Sequence, residues 1–282
     1  MALVVADYTR DTHFSRLMHG EIEQVDLAAV ALEIARDEFP ELQVDCWLAR
    51  LDVMGRQVRE RISPEDGPEA LIEQLNHFLF AEEGYRGNTE NYYDPRNSFL
   101  NEVLERKLGI PITLSLVYLA LAERVGLAMR GVGMPAHFIV KLMGSEREIF
   151  VDPFHAGAIL TRDDCEQRVS QVVGLPVTLN VDQLEPSSND QVVLRLLGNL
   201  KVIYLEQTDL VRALRVQERI CAVHPLDATE LRDLGLLYLR TNRPGPAIEQ
   251  FQQYCRRSPE AEDLETVRTL LKVAVRLMAT MN

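Results

Sequence analysis

The chain has 282 residues, of which 46% are hydrophobic and 26% charged, a balance that supports the buried core of one large domain or two ordinary ones. A formal net charge of -13 argues against a nucleic-acid partner, because binding phosphates needs a surplus of Lys and Arg on one face. No apolar run reaches the roughly 18 residues that would span a bilayer, and the N-terminus MALVVADYTRDTHFSR has no basic segment before its short apolar stretch, so a cytoplasmic, non-exported protein without a membrane partner is expected.

Three amphipathic helices are expected first. Asp26 caps a helix whose Leu27, Val30, Ala31 and Ile34 share a face, and Phe39-Pro40 stops it. Trp47, Leu51, Met54, Val58 and Ile62 form a second stripe, and Pro68 to Phe80 carries Leu71, Leu75, Phe78 and Leu79. Cys46 and His77 lie on these helices, where packing is the expected role. The four cysteines, Cys46, Cys165, Cys221 and Cys255, share no CxxC spacing and read as free thiols.

From Tyr85 to Asn97 the chain is polar and rich in turn formers, with Tyr92-Tyr93-Asp94-Pro95-Arg96-Asn97 at its end. A loop of this length is a candidate binding element, although two adjacent tyrosines equally suit lids over a core. Ser98 is expected to cap a helix from Phe99 to Leu108 closed by Gly109, and Pro111 fits the first turn of a helix running to Val125 and closed by Gly126.

Two strands follow, His137 to Leu142 and Arg147 to Asp152, joined by a Gly144-Ser145 hairpin turn. If Met143 faces Glu146, paired residue numbers sum to 289 and His137 lies directly opposite Asp152, about 5 Å away at Cβ. A His held by a carboxylate is the orienting half of a nucleophilic triad; a polar cross-strand pair without catalysis is the alternative.

The last third repeats itself. A shift of 34 residues superposes Leu197 on Leu231, Leu200 on Leu234, Tyr204 on Tyr238, Ala213 on Ala247 and Pro225 on Pro259. Each copy divides into two amphipathic helices, Gln191 to Glu206 with Asp209 to Val223, then Ala228 to Thr241 with Pro246 to Arg257, and the segment from Ala261 to Met281, with a stripe from Leu264 to Leu277, reads as a closing helix. In the second copy Leu234-Gly235, Tyr238, Ala247, Phe251 and Pro259 resemble the tetratricopeptide signature. The first copy departs from it, with Lys201 in the Gly position and Gln217 in the Phe position. A protein partner held by this module is expected.

The helix ending in Val125-Gly126, the strand opening at His137 and the strand ending in Val151-Asp152-Pro153 resemble the core of the transglutaminase-like fold of cysteine proteases and acyltransferases. The longer string Gly87-Asn88, Tyr92-Tyr93-Asp94-Pro95, Asn97 to Asn101, Gly109 to Ser115, Gly131-Val132-Gly133, Pro135, His137-Phe138 and Val151 to Phe154 resembles the bacterial SirB-type family, which joins such a domain to tetratricopeptide repeats. Ala136 stands where that family's pattern has Gly, a departure expected to cost little. The resemblance implies an α+β, mostly helical fold: an N-terminal helical region with a transglutaminase-like, papain-like domain over 1–184, a linker at 185–190, and repeats with a capping helix over 191–282.

In active members of that fold a Cys opens the helix before the His, where the helix dipole and an imidazolium favour thiolate. Here that position falls at Pro111, and neither Ile110 nor Ile112 carries a nucleophile. Ser115 lies about one turn deeper and Thr113 is closer, but a hydroxyl needs a base in contact and an oxyanion hole, and one inside a helix usually bonds its own backbone. Cys46 and Cys165 fall outside the motif, and core packing is expected for both. His155 with His137 and Asp152 is an alternative metal site, for which two or three ligands at these spacings are weak evidence; no metal or cofactor is expected. The sequence therefore reads as a non-catalytic regulatory or scaffold protein, with Tyr92, Tyr93, Asn97, Pro111, His137 and Asp152 lining a binding pocket. The alternative is a hydrolase or acyltransferase in which His137 and Asp152 activate Ser115, Thr113 or a distant Cys.

Overall fold

The computed structural model describes residues 8–22, 25–145 and 147–281. They divide into two compact units, one of residues 11–17 and 21–196, the other of residues 8–10, 18–20 and 197–281.

The first unit begins with α1 (Thr12–Met18), α2 (Leu27–Ala35), α3 (Val44–Arg59) and α4 (Pro68–Asn76). Asp26 caps α2 as its position suggests, accepting from the N–H groups of Ala28 and Ala29. The third helix stops four residues short of Phe80 and passes into a wider turn over His77–Glu82. Two side chains assigned to packing face outward: Cys46 is exposed, and His77 is 62% exposed and 3.2 Å from Glu82.

The polar stretch that follows is pinned at both ends. β1 (Arg86–Gly87) pairs in parallel with β2 (Leu108–Gly109), and α5 (Leu100–Arg106) lies between them in the chain. Ser98 does not cap α5, since Phe99 holds the cap position and makes no side-chain cap bond, and Lys107 at φ 58, rather than Gly109, closes it. Gly109 is needed in β2 instead: a Cβ there would lie 2.8 Å from Thr113 Oγ1. α6 (Pro111–Arg124) starts with Pro111 at its first position, where the missing N–H costs nothing, and Gly126 at φ +80 turns the chain after it.

α6 packs on an antiparallel sheet ordered β3-β4-β5-β6, made of Met129–Met134, His137–Leu142, Phe150–Asp152 and Ala158–Leu160. β3 and β6 were not anticipated, because Met129–Met134 carries two glycines and β6 has only three residues. The β4–β5 pairing differs from the expected hairpin. Val140 faces Val151 and Lys141 faces Phe150, so paired numbers sum to 291, and β5 begins at Phe150 rather than Arg147. The connection is longer than two residues, and the pairing of Met143 with Glu146 lies outside the described residues. α7 (Arg162–Val173) supplies Cys165 and Val169 to a core with Val132, Met134, Ile139, Phe150 and Leu160.

The second unit contains α8 (Asn189–Glu206, from Leu197 on), α9 (Leu210–Val223), α10 (Ala228–Arg240), α11 (Pro244–Arg257) and α12 (Leu264–Met281). Asp209 caps α9 and Asp227 caps α10 through their side chains. In the second repeat the ring of Phe251 rests on Gly235, where a Cβ would come within 2.6 Å of it. The first repeat replaces that contact with a polar one. Lys201 Nζ reaches Glu230 Oε2 at 3.3 Å and Asp233 at 2.9 Å, while buried Gln217 donates to the same Glu230 oxygen at 2.7 Å. The two departures from the signature are thus complementary, both converging on Glu230.

Candidate functional site

The register decides whether the two triad-like residues meet. With pairs summing to 291, Asp152 lies opposite Ile139, and His137 is its diagonal neighbour two residues along β4. A slip of two residues leaves side chains on the same face, because the side-chain period of a strand is two. The contact therefore survives: His137 Nε2 is 2.9 Å from Asp152 Oδ2, and the two residues are 3% and 0% exposed.

Asp152 is the hub of a larger cluster. Its Oδ1 accepts from the backbone N–H groups of Phe154 and His155 at 3.1 and 3.3 Å, capping the short turn Pro153–His155. Its Oδ2 also meets His155 Nδ1 at 2.7 Å and Arg168 Nε of α7 at 3.4 Å. Burial alone would raise the carboxyl, but the hydrogen bonds and charges of His137 and His155 outweigh it and hold Asp152 well below the usual carboxylate range. With Nε2 of His137 turned to Asp152, Nδ1 is the ring nitrogen left for a nucleophile.

An aromatic wall flanks the imidazole. Phe154 stands edge-on to His137 at 6.1 Å and to Tyr92 at 6.2 Å, and Tyr92 in turn meets Tyr93 at 5.3 Å. Phe154 needs Gly87 beneath it, since a Cβ there would approach its ring to 2.5 Å. Tyr92 is 37% exposed and Tyr93 60%, so they form the outer rim. Asn97 is a strut rather than a lining residue: fully buried, it donates to the carbonyls of Asn91 and Tyr92 at 2.7 and 3.2 Å and accepts from Asn88 at 3.0 Å. Behind the wall Arg195 donates to the His137 carbonyl at 2.9 Å, and its guanidinium lies 5.8 Å from the Phe138 ring.

The nucleophile candidates fare differently. Pro111 is buried at the start of α6, which packs on β4 and on the turn Pro153–His155. Thr113 Oγ1 accepts from Ile110 N–H at 3.1 Å and donates to the Asn97 carbonyl at 2.7 Å, so it braces the helix start. Ser115 is fully buried, and its Oγ has no hydrogen-bond partner, neither the backbone bond expected of it nor one to His137. Burial pushes the Cys165 thiol up to about 12, and the carboxylates of Asp164, Asp152 and Glu148 oppose its thiolate further.

Arg168 and Arg195 were not among the expected site residues. Arg168 lies on a mostly polar helix whose apolar stripe is only Cys165, Val169 and Val172, whereas Arg195 interrupts the apolar run Val192-Val193-Leu194-Arg195-Leu196-Leu197, which is a readable signal. Ala136 is also more consequential than its extra methyl suggests. It occupies the two-residue turn between β3 and β4 at φ 56, a left-handed conformation in which glycine is unstrained.

A family model described as the transglutaminase-like superfamily matches residues 45–198. The chain belongs to that superfamily. A tetratricopeptide repeat model matches residues 200–272. A UPF0162 protein of Xylella fastidiosa is 32% identical over 249 residues, covering 87% of this chain and 89% of its own. A UPF0162 protein of Vibrio cholerae is 28% identical over 254 residues, or 89% and 94% of the two chains, and Protein SirB1 of Salmonella typhimurium is 26% identical over 240 residues, or 85% and 88%. These relatives bear out the SirB-type resemblance over most of this transglutaminase-like chain. No solved structure gives a significant match.

Proposed function

We propose that this protein is a non-catalytic regulatory or scaffold protein, in which a transglutaminase-like domain with a degenerate acyl-transfer site is joined to a repeat module that holds a protein partner. The observation that carries the reading is the start of α6, where Ile110, Pro111 and Ile112 carry no nucleophile and the first-turn hydroxyl of Thr113 is engaged by Ile110 and Asn97, while His137 and Asp152 keep their hydrogen bond. Acyl transfer needs a nucleophile in reach of the base and donors for the oxyanion. Tyr92, Tyr93 and Phe154 form a partly exposed aromatic patch beside His137, a surface suited to a peptide or side chain. Tetratricopeptide repeats generally mediate protein interactions, and the acidic balance of -13 favours a protein over a nucleic acid as the partner.

The second reading, a hydrolase or acyltransferase using Ser115, rests on the unpartnered Oγ of that residue. Its complete burial counts against it, because a substrate carbonyl has to reach the attacking oxygen. Affinity purification of the full chain at native abundance, with fluorophosphonate and iodoacetamide labelling of wild type and His137→Ala, separates the two. A stoichiometric companion and no His137-dependent label support the scaffold reading; a label lost on His137→Ala, or no reproducible companion, overturns it.

A further inference from the structure

We propose that His137, Asp152 and His155 form a binding site for a divalent transition metal, with zinc the best-fitting ion. His137 Nε2, an Asp152 carboxylate oxygen and His155 Nδ1 all lie within 4.8 Å of one another, the right donors at the right order of separation for a single ion. Two imidazoles and one carboxylate are the protein ligands of open zinc centres, and they suit zinc better than the oxygen-seeking magnesium or calcium.

The surrounding fold prepares each ligand. Both backbone N–H bonds to Asp152 go to Oδ1, so the carboxylate is aimed with Oδ2 toward both rings. His155 is placed by a turn that cannot drift: Ala156 and Gly157 are both left-handed, Asn76 donates to the Gly157 carbonyl at 2.8 Å, and a Cβ on Gly157 would lie 2.2 Å from the Asn76 side chain. The His155 side chain is 37% exposed, which leaves an entry path and coordination positions open to water, while His137 and Asp152 are buried.

The present nitrogen-to-oxygen distances of 2.9 and 2.7 Å are hydrogen-bond lengths. Tetrahedral bonds of about 2.0 Å would set ligand atoms roughly 3.3 Å apart, so each ring moves back slightly from the carboxylate oxygen to admit the ion. One group opposes it. Arg168 Nε, 3.4 Å from the same oxygen, is a rival cation, and at 22% exposure its side chain has a route to solvent.

The test is titration of tag-free, metal-stripped full chain with Co²⁺ and then Zn²⁺. A visible d–d band that saturates at one equivalent of Co²⁺ and is abolished by one equivalent of Zn²⁺ is expected. His155→Ala, at the exposed ligand, should weaken Zn²⁺ affinity by at least about 100-fold with an unchanged circular dichroism spectrum, and Arg168→Ala should tighten it by about tenfold. Absence of the band, or affinity indifferent to His155→Ala, overturns the proposal. Because metal affinity is read directly, this outcome is independent of whether a partner or an activity is found.

Discussion

Replacing Asp152 with alanine tests whether the central cluster supports the sheet that carries it. Asp152 is fully buried and accepts hydrogen bonds from two backbone N–H groups and from the rings of His137 and His155. Alanine strands all of these donors. Phe154 and His155 lie near solvent and recover part of their loss through water, whereas His137 at 3% exposure does not. At about 1–3 kcal/mol for each donor left buried without a partner, the total is roughly 3–4 kcal/mol. Asp152→Asn keeps a carbonyl oxygen for the backbone donors and should lose about half as much. The single tryptophan, Trp47 on α3, belongs to the same unit as Asp152, so its fluorescence reports unfolding of that unit alone. With a urea slope of about 2 kcal/mol per molar, the alanine variant should unfold at a midpoint lower by about 1.5–2 M. A shift below about 0.5 M would refute the energetic reasoning and mean that the cluster contributes little to the sheet.

Acid should act through the same carboxyl. Because its folded value is held below the unfolded one, Asp152 contributes stability that is fully present above the ordinary carboxylate value of about 3.9 and is lost as pH falls further toward the depressed value; the Trp47 urea midpoint of wild type should fall more steeply below about pH 4 than that of Asp152→Asn. Ala136→Gly relieves a left-handed alanine and should stabilise the first unit by about 0.5–1 kcal/mol, the net of relieved strain and the added freedom of the unfolded chain, read as a higher urea midpoint. Gly235→Ala drives a methyl into the Phe251 ring and should destabilise the second unit by about 1–3 kcal/mol, measured by circular dichroism during urea unfolding. Iodoacetamide on native protein should modify exposed Cys46 first and leave buried Cys165 and Cys221 untouched, since burial pushes both of these thiols up to about 12; peptide mapping that found a His137-dependent label on Cys165 would reverse the non-catalytic reading.

The sequence by itself determined the elements whose signal is local and repeated. The 34-residue self-similarity located α9 to α11 to within a few residues, because each helix carries an apolar stripe that must be buried and an Asp or Pro that marks an end, and a further apolar stripe located the closing helix α12. The meeting of His137 and Asp152 was legible for a similar reason: alternation across a strand puts both on one face under any even register, so an error of two in the pairing sum left the chemistry intact.

Tertiary structure alone decided what converges on those residues. β1, β2 and β6 have two or three residues each, too few to show a period, and exist because neighbouring backbone groups need partners. The sharing of one Asp152 oxygen by His137, His155 and Arg168, and the convergence of Lys201 and Gln217 on Glu230, join residues from separate elements. Spacing along a chain encodes which face a side chain takes, but not which distant side chain will stand across from it; that depends on the packing of whole elements, and here it turned an apparent two-residue remnant into a four-residue polar cluster.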